Sequence, residues 1–251
     1  MRYEEQDFST LETRYASVER FIEKICAGSI RSMIVSGPPG VGKTYSIEQF
    51  LRKYSTEKYK VVTGHMSMLS LYGNLYSLRN SKNVLVLDDI DSVFEKIEGL
   101  NILKAAMDTK AQRQINWESS TPLLAAMNVP PSFSFNGAVI LITNEGRGNM
   151  KKKLAQHLAA LCDRTFQIKV ADTSRESLLH QINFMILKKG LLSSFNFDED
   201  QIFEILDYIN DNAESITHLS LRTAVKLAEL VEIDGTGWQE WAGDGLLTEN
   251  A

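Results

Sequence analysis

The sequence is poor in three features that mark large classes of proteins: cysteine, long apolar runs and excess positive charge. Its 251 residues include two cysteines, Cys26 and Cys162. Both lie among apolar neighbours, which predicts buried thiols in a reducing compartment and excludes a disulfide framework. No apolar run approaches the ~20 residues of a membrane-spanning helix. The N-terminal residues MRYEE are charged, so we expect no secretory signal, no membrane partner and a cytoplasmic protein.

Positive charge is outweighed by negative charge. Lysine and arginine number 27 against 32 acidic residues, for a net charge of −5 and a pI near 5.5. This balance excludes the overall basic character typical of a nucleic-acid-binding domain. Residues 151–153 (KKK) are the one tight basic run. Most such runs lie on solvated helix faces. The alternative is a basic loop that each subunit of an assembly contributes to one shared surface.

The most informative stretch that the sequence does contain is GPPGVGKT, at residues 37–44, which follows the apolar run MIV. Its spacing is that of a phosphate-binding loop, G-x-x-x-x-G-K-[ST], between a strand and a helix. Glycine lets successive backbone N–H groups turn inward around phosphate oxygens, and the following helix adds its own free N–H groups. We expect Lys43 to reach the outer phosphates and Thr44 to offer its hydroxyl to magnesium. The predicted phosphate-binding residues are Gly37, Pro38, Pro39, Gly40, Val41, Gly42, Lys43 and Thr44.

A second motif is the apolar run at residues 83–87, which ends in Asp88 and Asp89. A run that is apolar on both faces is typical of a central parallel strand. Two carboxylates at the end of such a strand are costly to desolvate unless a cation lies near. We therefore expect Asp88 to anchor magnesium, directly or through a water, and Asp89 to polarise an attacking water.

Strands alternate with helices as far as residue 170, and only helices follow. This pattern predicts an α/β domain at residues 1–171, a helical domain at 172–234 and a Gly-rich tail at 235–251. Residues 110–136 are predicted to be an irregular loop. The predicted strands of the sheet are residues 30–36, 60–63, 83–89, 138–144 and 165–170.

The two motifs resemble the Walker A and Walker B pair of AAA+ ATPases, and the resemblance covers residues 12–233. It implies a P-loop NTPase fold with a five-stranded parallel sheet flanked by helices, and a C-terminal helical lid. It also implies ATP and Mg²⁺ as cofactors, ATP hydrolysis, and a homo-oligomeric ring of six subunits. The compact single module and the DDID stretch at residues 88–91 are similar to phage-encoded members, which would work in the host-cell cytoplasm.

The resemblance also assigns roles to single residues. Asn144, at the end of a buried strand, matches the sensor-1 amide that positions water near the γ-phosphate. Arg164 matches the arginine finger, with Arg147 as the rival, and Arg222 matches the sensor-2 contact to phosphate. Each has an ordinary alternative: Asn144 as a turn residue, Arg164 as a surface arginine and Arg222 as the partner of an acidic neighbour.

One position departs from the family pattern. AAA+ proteins usually carry glutamate where this chain has Asp89, whose side chain is one methylene shorter. Our hypothesis is that Asp89 still serves as the base, either with slower turnover or with the strand shifted slightly inward.

The client of such an ATPase is less well specified by the sequence. Tyr72, in Leu-Tyr-Gly, occupies the place of a pore loop but is interpreted slightly better as a core tyrosine. Lys110, Arg113 and Trp117 suit either a nucleic-acid contact or a packed insertion. Trp238 and Trp241 either dock on another subunit or partner, or fold back on the lid.

Three functions follow from these observations. The first is a ring motor that remodels or threads a macromolecular client, with a protein client favoured by the acidic charge and Tyr72. The second is a DNA-directed ATPase of the helicase-loader, clamp-loader or transposition type. The third, a small nucleotide kinase or GTPase, is disfavoured because the sequence lacks a guanine-reading Asn-Lys-x-Asp stretch and carries a sensor-like Asn144 and a helical lid.

Overall fold

The structure is a computed structural model that describes residues 3, 6–55, 57–90, 93, 96–117, 122–144 and 159–248. Arg147 and residues 151–153 lie outside this described part, as does Asp91, which the sequence predicts to cap a helix. The first half of the chain forms α1 (Ser9–Cys26), β1 (Ser32–Gly37), α2 (Lys43–Tyr54), β2 (Tyr59–Thr63), α3 (Met68–Ser77), β3 (Val84–Asp88) and α4 (Ile97–Ala106). The second half forms β4 (Gln114–Asn116), α5 (Pro122–Ala126), β5 (Ser132–Ser134), β6 (Ala138–Asn144), β7 (Phe166–Lys169), α6 (Arg175–Lys189), α7 (Glu199–Asp211), α8 (Leu221–Ile233) and α9 (Trp238–Leu246).

The main sheet has five parallel strands in the order β2-β3-β6-β1-β7, which confirms the predicted fold class. β3 and β6 are buried along almost their whole length because helices cover both faces of a parallel sheet. Asp88 pairs in register with Ile142. The carboxyl ends of β3 and β6 are therefore level, and Asp89 and Asn144 follow at the same edge.

The chain divides into two compact units. The first, called the sheet unit here, comprises Arg14–Ser36 and Lys43–Lys169. The second, called the lid unit, comprises Met1–Thr13, Gly37–Gly42 and Val170–Ala251. The phosphate-binding loop thus belongs to the same unit as the C-terminal helices.

Residues 110–136, predicted to be irregular, contain a small substructure of their own. β4 and β5 pair antiparallel, and α5 lies between them in sequence. Tyr72 is fully buried beneath this insertion, where its ring contacts Trp117 and Phe133 and its hydroxyl donates to the Pro130 carbonyl at 2.9 Å. The core interpretation of Tyr72 is confirmed, and the hypothesis that it grips a client is wrong.

Arg113 is also part of the packed insertion. It is 3% exposed, and its guanidinium donates to the carbonyls of Ala106 at 2.5 Å and Gly137 at 2.7 Å. Its guanidinium carbon lies 5.0 Å from the centre of the Phe135 ring. Burial, helped by the nearby charge of Arg31, lowers the pKa of Arg113 to about 10. Of the two alternatives for Arg113, the packed insertion is confirmed and the nucleic-acid contact is wrong, because the side chain is enclosed.

The region predicted as a C-terminal tail contains helix α9, which contacts α8. Trp238 is buried and its ring packs against Tyr208, with the ring centres 5.1 Å apart. Trp238 therefore folds back on the lid unit, one of its two predicted alternatives. Trp241, one helical turn on, remains 53% exposed.

Two expectations from composition can be compared with the structure. Cys26 is buried and Cys162 is half-buried, both are free thiols, and burial raises the pKa of each. Across the described ranges, every helix is too short or too polar to cross a bilayer.

The buried position of Tyr72 predicts a stability effect. Tyr72→Phe should lower the free energy of unfolding by about 1 kcal/mol, because it removes one hydrogen bond. Tyr72→Ala should lower it by about 3–5 kcal/mol, because it leaves a cavity under the insertion. Urea unfolding measures both, with Trp241→Ala as an exposed aromatic control that should change stability by less than about 0.5 kcal/mol. Unchanged stability of Tyr72→Ala would contradict a core role.

Candidate functional site

The central contact of the site joins the start of α2 to the end of β6. Lys43 is the first residue of α2 and is 7% exposed. Its ammonium donates to the Asn144 side-chain oxygen at 2.8 Å. A buried ammonium requires such an acceptor, since an uncompensated charge is costly to remove from water. Asn144 is thus a binding partner of Lys43 in this structure.

Asn144 also contacts the second carboxylate of the β3 motif. Its amide nitrogen donates to Oδ2 of Asp89 at 2.8 Å. The two partners fix the orientation of the amide, because an ammonium needs the oxygen and a carboxylate needs the NH₂ group. Lys43, Asn144 and Asp89 therefore form one hydrogen-bonded chain across α2, β6 and the end of β3.

The backbone at Asp89 turns sharply out of the strand. Asp89 has a φ of +50°, in the left-handed region, and its N–H donates to the Ile142 carbonyl at 3.2 Å. Aspartate is among the few non-glycine residues that adopt this conformation readily. The turn ends β3 and leaves the exposed Asp89 side chain against Asn144.

Asp88 lies against the neighbouring residue of α2. The Thr44 hydroxyl donates to Oδ2 of Asp88 at 2.7 Å. Burial raises the pKa of Asp88, and the nearby charge of Asp89 raises it further, although the Thr44 hydrogen bond opposes the shift. A cation at this place would reverse the shift, because it favours the ionised carboxylate.

The two oxygens fit the requirements of Mg²⁺. Adjacent ligands of an octahedral magnesium ion lie roughly 3 Å apart, and both are hard oxygen donors. The 2.7 Å between Thr44 Oγ1 and Asp88 Oδ2 is close to that spacing. No group of three or more His, Cys, Asp or Glu in the described residues is arranged to hold a metal alone. Such a Mg²⁺ would take its other ligands from phosphate and water, as it commonly does.

The phosphate-binding loop requires glycine at two positions. Gly40 has a φ of +72° and Gly42 a φ of +84°. A Cβ on Gly40 would lie 2.7 Å from the Ser220 Cβ, and one on Gly42 would lie 2.7 Å from a Leu221 methyl group. Glycine is therefore required at both positions for two reasons: the positive φ disfavours a side chain, and the start of α8 leaves no room for a Cβ.

The two predicted arginines belong to different units, Arg164 to the sheet unit and Arg222 to the lid unit. Arg164, just before β7, forms an ion pair with Asp108 at 3.7 Å and donates to the Ala160 carbonyl. Arg222 is exposed in the lid unit and lines a cavity of 270 Å³ together with His218 and Lys226. Within the sheet unit the structure brings together Lys43, Thr44, Asp88, Asp89 and Asn144, and Arg164 of the same unit contacts Asp108 and Ala160 instead.

Sequence reasoning missed one residue at the loop. Gln181, in α6, is fully buried and donates to the Val41 carbonyl at 3.2 Å. No motif marks it, because it is a single polar residue in a helix and its partner is a backbone atom 140 residues away in the sequence.

Comparison with known proteins identifies relatives of this chain. The sequence profile of the "ATPase family associated with various cellular activities (AAA)" matches residues 33–170. An uncharacterised 36.7 kDa protein from the nrdC-mobD intergenic region of Enterobacteria phage T4 is 31% identical over 244 residues, which cover 94% of this chain and 75% of that protein.

Solved structures with a similar fold include the RuvB Holliday junction branch migration motor of Thermotoga maritima. Its TM-score is 0.52 at 13% identity, covering 93% of this chain and 68% of that one. NtrX from Brucella abortus in complex with ADP gives a TM-score of 0.50 at 15% identity, covering 91% of this chain and half of that protein. At these identities the likeness shows the fold alone.

The raised pKa of Asp88 predicts a pH-dependent stability effect. A carboxyl group whose pKa is higher in the folded state destabilises that state once it is ionised, so the cost is present at neutral pH and fades as the pH falls through the raised pKa. Asp88→Asn, which can still accept from Thr44, should therefore raise the Tm at neutral pH, with a gain that shrinks in mildly acidic buffer. Thermal unfolding at the two pH values measures this. The exposed Asp163→Asn is the control, and a gain that grows with acidity would contradict the assignment.

Proposed function

The chain belongs to the AAA family of ATPases, and on this premise we propose that it hydrolyses ATP with Mg²⁺ as a ring of identical subunits, coupling the reaction to remodelling or threading of a macromolecular client. The observation that carries the proposal is the hydrogen-bonded chain from Lys43 through Asn144 to Asp89. It connects the lysine of the phosphate-binding motif with the second carboxylate of the β3 motif.

In the proposed reaction each residue of the group has one task. The loop at residues 37–42 binds phosphate oxygens through backbone N–H groups, and Lys43 binds the outer phosphates. Asn144 holds the attacking water near Asp89, whose carboxylate orients the water and accepts its proton. The bond from the water oxygen to the γ-phosphorus forms as the bond from that phosphorus to the bridging oxygen breaks and ADP leaves. Thr44 and Asp88 would hold Mg²⁺, which neutralises charge on the phosphate oxygens when bound.

Asn144 is suited to change partners when nucleotide binds. Its oxygen accepts from Lys43 and its NH₂ group donates to Asp89. A terminal phosphate competes with Asn144 for the Lys43 ammonium, because a charged acceptor binds an ammonium more strongly than a neutral amide does. Loss of that contact frees the Asn144 oxygen to accept from a water placed between the amide and Asp89.

Arg164 is proposed to act on the nucleotide of the neighbouring subunit. Within its own unit it contacts Asp108 and Ala160 rather than the group around Lys43. Its side chain is 33% exposed, so it can exchange the long 3.7 Å ion pair for a stronger anionic partner. An arginine supplied in this way is worth about 10³–10⁵ in rate in related phosphoryl transfers. Arg222 is proposed to contact phosphate from the lid.

A DNA-directed ATPase remains the second candidate function. The fold is shared with a Holliday junction branch migration motor. The burial of Tyr72 removes one argument for a threaded protein client, and the burial of Arg113 removes one for a DNA-lining pore. ATP turnover measured with and without single-stranded DNA separates the candidates: stimulation by DNA favours the second, and indifference to DNA favours a protein client.

The role of Asp89 predicts a kinetic effect. Asp89→Asn preserves the shape of the side chain but removes the proton acceptor, so turnover should fall by about 10²–10⁴-fold while ATP affinity changes little. Steady-state turnover and equilibrium binding of ATP measure the two quantities. Asp163→Asn is the matched control, and unchanged turnover of Asp89→Asn would show that Asp89 is not the base.

The trans action of Arg164 predicts complementation between variants. Arg164→Ala should lose hydrolysis by about 10³-fold but keep ATP binding, and wild-type turnover per subunit should rise steeply with protein concentration. Mixing inactive Arg164→Ala with inactive Asp89→Asn should restore part of the activity, because some interfaces then pair an intact arginine with an intact base. Arg52→Ala, an exposed arginine of α2, is the control. A mixture that stays inactive, or turnover independent of concentration, would contradict the ring.

A further inference from the structure

Two carbonyl groups of the phosphate-binding loop are bound by C-terminal helices of the lid unit. The Gly40 carbonyl accepts from the backbone N–H of Leu221 at 2.8 Å, and the Val41 carbonyl accepts from the side-chain amide of Gln181 at 3.2 Å. Leu221 opens α8, and Gln181 lies in α6. Consecutive peptide groups of the loop are thus held by two different helices.

These contacts fix the direction of the N–H groups on the same peptide planes. In a trans peptide, the C=O of one residue and the N–H of the next point in opposite directions, and the described chain contains no cis peptide bond. Because the Gly40 and Val41 carbonyls point to the lid helices, the N–H groups of Val41 and Gly42 point away from them. These are N–H groups of the stretch that binds phosphate in a loop of this type.

The Gln181 contact has the character of a specific interaction rather than of general packing. Gln181 is 0% exposed in the most buried stretch of α6, beside Ile182 and Phe184. Burying an amide there costs free energy unless it forms hydrogen bonds. A leucine or methionine would fill the same space without that cost. The amide nitrogen donates to the Val41 carbonyl, which shares its peptide plane with the Gly42 N–H.

The Leu221 contact supports the same interpretation. The first N–H groups of a helix have no partner within the helix, and the Leu221 N–H uses the Gly40 carbonyl. The close approach at Gly40 and Gly42, where any Cβ would lie 2.7 Å from Ser220 or Leu221, leaves these peptide planes little room to rotate. Backbone contact and side-chain contact therefore hold neighbouring planes in one orientation.

We propose that Gln181 is a positioning residue. It holds the Val41–Gly42 peptide plane so that the Gly42 N–H is directed at the bound phosphates. The lid therefore orders the phosphate-binding loop before phosphate binds. The inference rests on the proposed function and deepens it, since it concerns the affinity of that same site. Preset donors avoid the free-energy cost of ordering the loop at each binding event. The lid then contributes to phosphate affinity through α6 as well as through Arg222.

The test compares two buried polar residues of the same helix. Gln181→Met keeps the shape but lacks the donor, and Asn183→Leu removes a buried amide that contacts Asn210 and Gln6 instead of the loop. The measurements are the dissociation constants of ATP and of inorganic tripolyphosphate for each full-length variant, with the Tm recorded in the absence of ligand. Tripolyphosphate reports on phosphate binding alone, without a contribution from the base or ribose.

Gln181→Met should weaken both ligands about tenfold, the value of one hydrogen bond. Asn183→Leu should lower the ligand-free Tm but leave both dissociation constants within about twofold. Equal affinities for Gln181→Met and wild type, or an equal loss in Asn183→Leu, would overturn the inference while the proposed function stands. Failure of the wild-type protein to bind ATP would overturn both.

A variant that does not fold is handled by a second substitution. If Gln181→Met is unfolded by circular dichroism, Gln181→Asn keeps a polar side chain at the position but withdraws its amide from Val41 by one methylene. The same tenfold loss is expected for it, and wild-type affinity in that variant would equally overturn the inference.

Discussion

The site depends on a buried cation that donates a hydrogen bond to a neutral amide. Lys43 is 7% exposed and donates to the amide oxygen of Asn144. A neutral amide binds an ammonium less strongly than a charged acceptor does, so an incoming phosphate can displace it. The charge of Lys43 also acts on the neighbouring carboxylate, where it favours the ionised form of Asp88. Burial still raises the pKa of Asp88, so a further cation at this place would favour its charged form.

The parallel sheet makes this arrangement possible. β3 and β6 pair in register up to Asp88 and Ile142, so their polar ends are level and face the start of α2. The apolar residues of both strands are buried beneath helices, whereas the carboxyl ends are left at the edge of the sheet. Ligands of open α/β folds bind at this edge because strands supply side chains there and helices begin there with free N–H groups.

Sequence patterns predicted the features that local chemistry specifies. The glycines at 40 and 42, the five strands and the carboxylates at the end of β3 follow from backbone conformation, apolar runs and charge. The core position of Tyr72 was favoured only slightly and the burial of Arg113 was one of two alternatives, because both residues contact an insertion whose strands are three residues long. The same limit applies to Gln181, whose partner is a backbone carbonyl that becomes available only when α6 packs on the loop.

The left-handed turn at Asp89 accounts for how two consecutive carboxylates serve one site. In a regular strand, successive side chains point to opposite faces. Yet Asp88 accepts from Thr44, and Asp89 accepts from the amide that binds Lys43, the residue before Thr44. The φ of +50° at Asp89 breaks the alternation and directs the second carboxylate to the same cluster. Aspartate tolerates this conformation because its short polar side chain can form local hydrogen bonds. A longer glutamate gains no such advantage. The short polar side chain of Asp89 therefore explains both the positive φ at this position and the presence of aspartate where the family usually has glutamate.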